Sequence, residues 1–188
     1  MRALFRGELV RLTAESPEAL AKLETRWQRD TEYHRLADDE PARMWSEKKH
    51  KERLAKRIEA GPDEGYFSFS IRALDTERVI GVTMLRVDWL NADALFGIAI
   101  GERDHWGKGH GTDAIRLVMQ FAFCELNLRR LTLGVNGYNL RALRSYEKVG
   151  FIKEGVIRAD ILREGRRTDS VYMGLLREEW LVRWGGAA

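Results

Sequence analysis

The stretch "ALFGIAIGERDHWGKGHGTDA", residues 94–114, joins an apolar run to a polar turn and then to Gly107, Gly109 and Gly111 at alternate positions. "ALFGIAI" is apolar at nearly every position, as expected of a strand covered on both faces. From Ala114 to Leu126 the chain is mostly apolar. Asp113, Arg116, Gln120 and Asn127 form a narrow polar stripe at helical spacing, so a largely buried helix is expected. Glycine loses more conformational freedom on folding than any other residue, so three together need a reason. Helix N-termini carry unpaired N–H groups and partial positive charge, and glycines let a diphosphate reach them. The spacing departs from the Rossmann fingerprint. After Gly107 and Gly109 the third glycine comes two residues on rather than three, and Asn136 replaces the acidic residue expected at the end of the next strand. The P-loop pattern fails as well, because no Gly-Lys-Ser/Thr follows. By spacing alone, a phosphate cradle and a plain flexible connection fit equally.

Upstream, "GELVRLTAES" reads as a first strand centred on Leu9 and Val10. Ser16 can cap a helix, with Pro17 in its first turn, running to about Arg29. "TEYHRLADDEPARMW" reads as a loop. Ser46 caps a second helix, with Glu47–Lys51 and Glu52–Lys56 as i,i+4 pairs and Gly61-Pro62 as its stop. From Tyr66 the period becomes two, and two hairpins in series make a meander ending in "ALFGIAI". Downstream, "RLTLGVN" reads as a strand and "NLRALRSYEK" as a short helix capped by Asn139 and ended by Gly150. "FIKEGVIRADIL" and "RTDSVYMGLL" read as strands joined at Arg163-Glu164-Gly165-Arg166, with "EEWLVRW" as a tail helix. The order β-α-α-β-β-β-α-β-α-β-β gives an α+β fold, a mainly antiparallel sheet flanked by helices.

The chain has 188 residues, 44% hydrophobic and 32% charged, with a formal net charge of +3. That suits one ordered domain. The small, dispersed charge excess gives no clustered basic face, so no nucleic-acid partner is expected. Cys124 is the sole cysteine, which excludes an intramolecular disulfide and Cys-rich zinc spacing. It lies in an apolar helical run and is read as a buried structural thiol. No metal is expected. "MRALFRGELVRL" is a poor signal peptide and no stretch approaches membrane-spanning length, so a cytoplasmic location without membrane contact is expected.

"WGKGHGTDA", followed after one strand by "NLRALRSYEKVGFIKEG", resembles the GNAT superfamily of acetyl-CoA-dependent N-acetyltransferases. The family signature Q/R-x-x-G-x-G/A maps onto Trp106, Gly107, Lys108, Gly109, His110 and Gly111. The first position departs from Gln or Arg, as in the branch of RimJ/RimL-type and spermidine acetyltransferases. The resemblance runs from Gly7 to Leu176 and is most specific from Phe96 to Gly155. It implies a single GNAT-like domain over residues 1–176, with 177–188 as a C-terminal tail.

The resemblance implies acetyl-CoA as cosubstrate. Main-chain amides from Gly107 to Thr112 would hold the pyrophosphate, with Lys108 adding charge. Ile98, Ala99 and Ile100 would pair with the pantetheine arm in a gap where two strands splay. Asn139 would bond the arm as well as cap its helix. Transfer to an amine needs a neutral amine, an oxyanion donor and a proton for the departing thiolate. A phenol keeps its proton at neutral pH, and Tyr146 stands at the family's general-acid position. Its other reading is a core aromatic. The oxyanion donor would be a main-chain N–H near Ile100. The carboxylate that relatives often carry before the cradle is replaced by Leu95. Asp93, Glu102 and His105 flank the strand or loop without matching that position.

The acceptor pocket implied by the family lies between the first helices, their loop and the last strands. Asp38, Asp39 and Glu40, with His34 and Trp45 near, could form an acidic rim drawing in a cationic amine. A protein N-terminus and small-molecule amines both remain open as acceptors. Trp180 and Trp184 could pack on the chain's own core or on a second protomer, and a homodimer is the expectation. The leading function is N-acetyl transfer by direct attack in a ternary complex. A non-catalytic acyl-CoA sensor or acceptor-binding module is the alternative.

Overall fold

The computed structural model describes residues 4–61 and 64–185. Pro62, read as part of a helix stop, lies outside them, as do residues 186–188 of the tail. β1 (Val10–Thr13) leads into α1 (Pro17–Gln28), α2 (Thr31–Ala37) and α3 (Glu47–Ala60). The meander β2 (Tyr66–Ala73), β3 (Val79–Asp88) and β4 (Asp93–Ile100) follows. A 3₁₀ turn (Arg103–His105) and the glycine loop then reach α4 (His110–Gln120), whose last residues open into a π turn (Phe121–Glu125). β5 (Arg130–Asn136), α5 (Leu140–Val149), β6 (Ile152–Arg163), β7 (Arg166–Leu176) and α6 (Arg177–Trp184) complete the chain.

Local signals set most boundaries. The Ser16 hydroxyl accepts from Ala19 N–H at 3.2 Å, and Ser46 from Lys49 N–H at 3.3 Å. Gly150 ends α5 with φ 113°, a left-handed conformation that favours glycine. Glu164 and Gly165, with φ 51° and 72°, turn the β6–β7 hairpin as a primed turn requires. The expected Glu47–Lys51 and Glu52–Lys56 pairs are replaced among the described residues. Lys51 instead pairs with Glu18 of α1, and Glu52 with Lys49 at 3.7 Å.

The stretch read as a loop after α1 contains α2. Asp30 Oδ1 accepts from Glu32 and Tyr33 N–H at 3.0 and 3.2 Å, capping its start. Its last carbonyls are satisfied from far along the chain. Asn136 Nδ2 donates to Arg35 O and Asn139 Nδ2 to Leu36 O, each at 3.0 Å. Those donors fill the role that a longer helix would supply internally.

The seven strands run in the order β1-β2-β3-β4-β5-β7-β6. Every neighbouring pair is antiparallel except β4–β5. The main core joins β1–β5 and β7 to α4, α5 and α6, with Phe123, Leu131, Met173 and Leu175 sealed at its centre. A smaller cluster of Leu20, Ala21 and Leu54, with Val82 packed against it, holds α1 and α3.

Asp113, read as part of a narrow polar stripe, is itself buried. Its carboxylate accepts from Leu9 and Val10 N–H at 2.8 and 3.0 Å and fastens β1 to α4. Cys124, read as buried, is exposed, because the widened π turn carries it out of the α4 stripe. Trp180 is buried and its ring lies 5.3 Å from Phe123, while the Trp184 indole donates to Val149 O at 3.1 Å. Both tryptophans pack on the chain's own core. No described helix is long and apolar enough to cross a membrane.

Candidate active site

β4 pairs with β3 along its whole length, from Asp93 opposite Asp88 to Ile100 opposite Gly81. On its other side it pairs with β5 only from Asp93 to Leu95. Beyond Leu95 the two parallel strands part, and Ile98, Ala99 and Ile100 have a strand neighbour on the β3 side only. Burial along "ALFGIAI" alternates through Phe96, so the strand is not covered on both faces as expected. Its second half is half-buried and borders open space.

A cleft of ≈ 640 Å³ lies in that gap. Ile98, Ala99, Ile100, Trp106, Gly107, Gly109, Gly111, Thr112, Asn139 and Tyr146 all line it. The two other residues expected there do not: Lys108 is exposed beside it and His110 is buried behind it. Gly107 and Gly109 have φ 72° and 92°, which L side chains rarely adopt. A Cβ on Gly107 would meet nothing within 4 Å, and one on Gly111 would touch only Ile100 at 3.6 Å. The glycines thus turn the chain and leave space above it, with α4 starting at His110 directly behind.

Trp106 does not point away as a loop side chain. Its indole N–H donates to Ile100 O at 2.7 Å and ties the loop to the end of β4. The guanidinium of Arg141 lies 4.0 Å from its ring centroid and that of Arg103 lies 5.4 Å away. Arg141, Arg144 and Lys148 of α5 line the cleft together, a cationic stripe that the reading of "NLRALRSYEK" passed over. Their i, i+3, i+7 spacing was the available signal.

Asn139 caps α5 by accepting from Ala142 N–H at 3.1 Å while donating to Leu36 O. An amide offers two N–H groups and two lone pairs, so one of each stays free. Tyr146 meets both of its readings. Its ring packs edge-on against Phe96 at 6.3 Å and Phe151 at 5.9 Å, and the residue also borders the cleft. Burial pushes its phenol well above the ordinary range.

A second cavity of ≈ 490 Å³ opens across β4, between the meander and α1 and α3. Ile98, Ala99 and Ala37 line both cavities. Its wall is largely apolar, with Leu54, Phe67, Phe69 and Met84. Two carboxylates reach it. Glu15 is paired with Arg72. Glu24 Oε2 lies 3.4 Å from His50 Nδ1, and no arginine or lysine among the described residues forms an ion pair with it. His50 is fully buried, and neither ring nitrogen has a hydrogen-bond partner.

The acidic triplet stays outside this cavity. His34 Nε2 lies 3.1 Å from Glu40 O, and Arg163 donates to Asp38 O and Glu40 O at 2.9 and 3.0 Å, pinning the loop at the rim. Trp45 packs on His50 instead. Glu102 is buried, pairing with Arg26 and with Arg78 at 3.0 Å, and accepting from the Trp27 indole at 2.8 Å. Asp93 pairs with Arg129 at 3.3 Å, and His105 with Asp104 at 2.9 Å. None of these flanking groups is a free base. Glu24 was missed because nothing local in its helix marks it. Only the fold turns it toward the cavity.

A family model described as "Acetyltransferase (GNAT) domain" matches residues 8–152. The probable N-acetyltransferase YjcK of Bacillus subtilis is 36% identical over 133 residues, covering 69% of this chain and 68% of that protein. Spermidine N(1)-acetyltransferase of Vibrio cholerae is 30% identical over 102 residues, 54% of this chain and 58% of that protein. This chain thus spans 58 to 68% of the length of these two curated relatives. A solved chimera of spermidine N-acetyltransferase SpeG from Vibrio cholerae and hSSAT shares the fold. Its TM-score is 0.79 at 24% identity, over 93% of this chain and 99% of that one.

Proposed function

The chain belongs to the GNAT acetyltransferase family, and on that premise we propose that it transfers the acetyl group of acetyl-CoA to a primary amine by direct attack in a ternary complex. The observation that carries this is the parting of β4 from β5 beyond Leu95, with cavities on both sides sharing Ile98 and Ala99. One side suits an extended, phosphate-bearing molecule and the other a small amine.

The residues present fit acetyl-CoA. The space over Gly107 admits a group against the main chain, and the first turn of α4 offers N–H donors to a diphosphate. Arg141, Arg144 and Lys148 add positive charge along the same wall. Acetyl-CoA supplies the activated acyl group, its C–S bond breaking as the amine forms the C–N bond. The strand edge from Ile98 to Ile100 holds the arm through main-chain groups. Its N–H groups are the donors for developing oxyanion charge. Because Ile100 O is engaged by Trp106, Ile100 has its N–H to offer. Tyr146 keeps its proton at neutral pH and gives it to the leaving sulfur.

Glu24 stands where the amine enters and takes over the work of the carboxylate missing at Leu95. It holds a cationic amine and accepts its proton. The acceptor is a small primary amine or an exposed amino terminus whose flanking carbon chain fits the apolar wall. Self-association is part of the same reading, supported by a related spermidine N-acetyltransferase solved as a dodecamer.

The test is thiol release from acetyl-CoA with a panel of amines, polyamines and N-terminal peptides. Acetylated products are identified by mass spectrometry and assembly by light scattering. Release for at least one amine, sharply reduced in Tyr146→Phe, is expected. Tight acetyl-CoA binding with no product from any acceptor would instead establish the sensor reading, which the replacement at Leu95 favours.

A further inference from the structure

On the flank of the glycine loop the fold gathers three side chains to which acetyl transfer gives no role, although His105 also lines the cleft assigned to acetyl-CoA. Asp75 lies in the turn between β2 and β3, His105 ends the 3₁₀ turn, and His110 opens α4. One ring nitrogen of each histidine and one carboxylate oxygen of Asp75 all lie within 4.8 Å of one another. The two imidazoles stand edge to face with centroids 4.8 Å apart. Each histidine is 6% exposed, while Asp75 sits at the surface and leaves a way in.

Two further observations point to a ligand. His110 Nδ1 is sealed from solvent without a hydrogen-bond partner, a state that is costly unless something fills it. His105 Nδ1 lies 2.9 Å from Asp104 Oδ1, and Arg78 steadies that carboxylate from 3.4 Å. A carboxylate on one ring nitrogen places the proton there and turns the lone pair of the other outward. This is the support that metal-bound histidines carry.

We propose that Asp75, His105 and His110 form a site for a divalent transition-metal ion of the Zn²⁺ class. Two imidazoles, one carboxylate and a water make a four-coordinate nitrogen–oxygen set that suits this ion. Metal–ligand bonds of about 2.0–2.2 Å put tetrahedral ligand atoms roughly 3.4 Å apart, so no pair needs to close by more than about 1.4 Å. The exposed turn carrying Asp75 can supply that movement. The ion clips the β2–β3 turn to the segment from His105 to His110, which carries the glycine loop. Its expected action is to stiffen that loop and stabilise the fold in proportion to occupancy. This inference does not rest on the acetyl-transfer reading.

The experiment uses the full chain purified without a histidine tag and stripped with a chelator. It is dialysed against Zn²⁺ and read by elemental analysis, with thermal unfolding in parallel. One Zn²⁺ per chain and a higher unfolding temperature are expected, and Co²⁺ in its place should show the intense visible bands of four-coordinate cobalt. Asp75→Asn, a surface change checked by circular dichroism, should weaken binding, and His105→Gln should abolish saturation. Asp104→Asn should weaken binding by about 10–100-fold through loss of support to His105. His34→Gln should bind as the parent does. The proposal is overturned if the parent shows no saturable one-to-one uptake. It is equally overturned if uptake survives both Asp75→Asn and His105→Gln, or disappears in His34→Gln.

Discussion

The two cavities flanking β4 are built from different materials. On the side of α4 and α5 the working surface is largely main chain: two glycines at positive φ, the start of a helix and an unpaired strand edge. On the side of α1 and α3 it is side chain: Leu54, Phe67, Phe69 and Met84, with Glu24 as the carboxylate that no arginine or lysine pairs among the described residues. A surface of peptide groups binds phosphate and extended arms whatever residues surround it. A surface of side chains is remade by any substitution. The first side therefore announces itself as a motif, while the second, in the proposed function, is the wall that would select the amine.

This contrast can be broken experimentally. The largest effect is expected for Tyr146→Phe, which leaves both walls standing but removes the proton donor. The transfer rate at saturation should fall by about 10²–10⁴-fold with acetyl-CoA affinity unchanged. Since burial raises the phenol's pKa, the acid form persists as pH rises, and loss of activity through its ionisation begins only above the ordinary value of about 10. A falling limb between pH 7 and 9 that vanishes in the variant would contradict this assignment.

Gly109→Val should weaken acetyl-CoA binding by about 10–100-fold. A branched side chain at φ 92° costs roughly 1–3 kcal/mol, and the loop relieves it by moving. Calorimetric titration reads this directly, and unchanged affinity would remove the main chain from the account. Glu24→Gln should raise KM for cationic amines by about tenfold, a charge-pair loss near 1.4 kcal/mol, and slow transfer through loss of the proton acceptor, while acetyl-CoA binding stays put. Should acetyl-CoA affinity fall instead, the two cavities are not separate in function. The smallest effect belongs to Trp106→Phe. Losing one hydrogen bond to Ile100 O should lower stability by about 1 kcal/mol in urea unfolding.

What could be read from sequence follows the range of the forces involved. Ser16, Ser46 and Asn139 cap helices within three residues of themselves, so their sites are visible locally. The glycine loop and Tyr146 lie where the motifs put them, because strand, turn and helix are contiguous there. The helix α2 was invisible because its last carbonyls depend on Asn136 and Asn139, about a hundred residues away. Asp113 was legible only as one residue of a polar stripe because its partners, the N–H groups of Leu9 and Val10, belong to a strand at the other end of the chain. Cys124 looked buried because a 3.6-residue period was carried through a π turn that does not keep it. Glu24, Asp75 and Glu102 owe their surroundings entirely to tertiary packing.

The unzipped seam between β4 and β5 has one more consequence. An unpaired strand edge normally invites aggregation, and proteins bury or blunt such edges at the sheet margin. Here the vacant edge lies in the middle of the sheet, between neighbours that hold it open, where another protein's strand cannot slide in sideways. A slender, flexible thread can still enter end-on. The same flaw that would make a sheet sticky at its border thus becomes, at its centre, a sleeve selective for narrow guests.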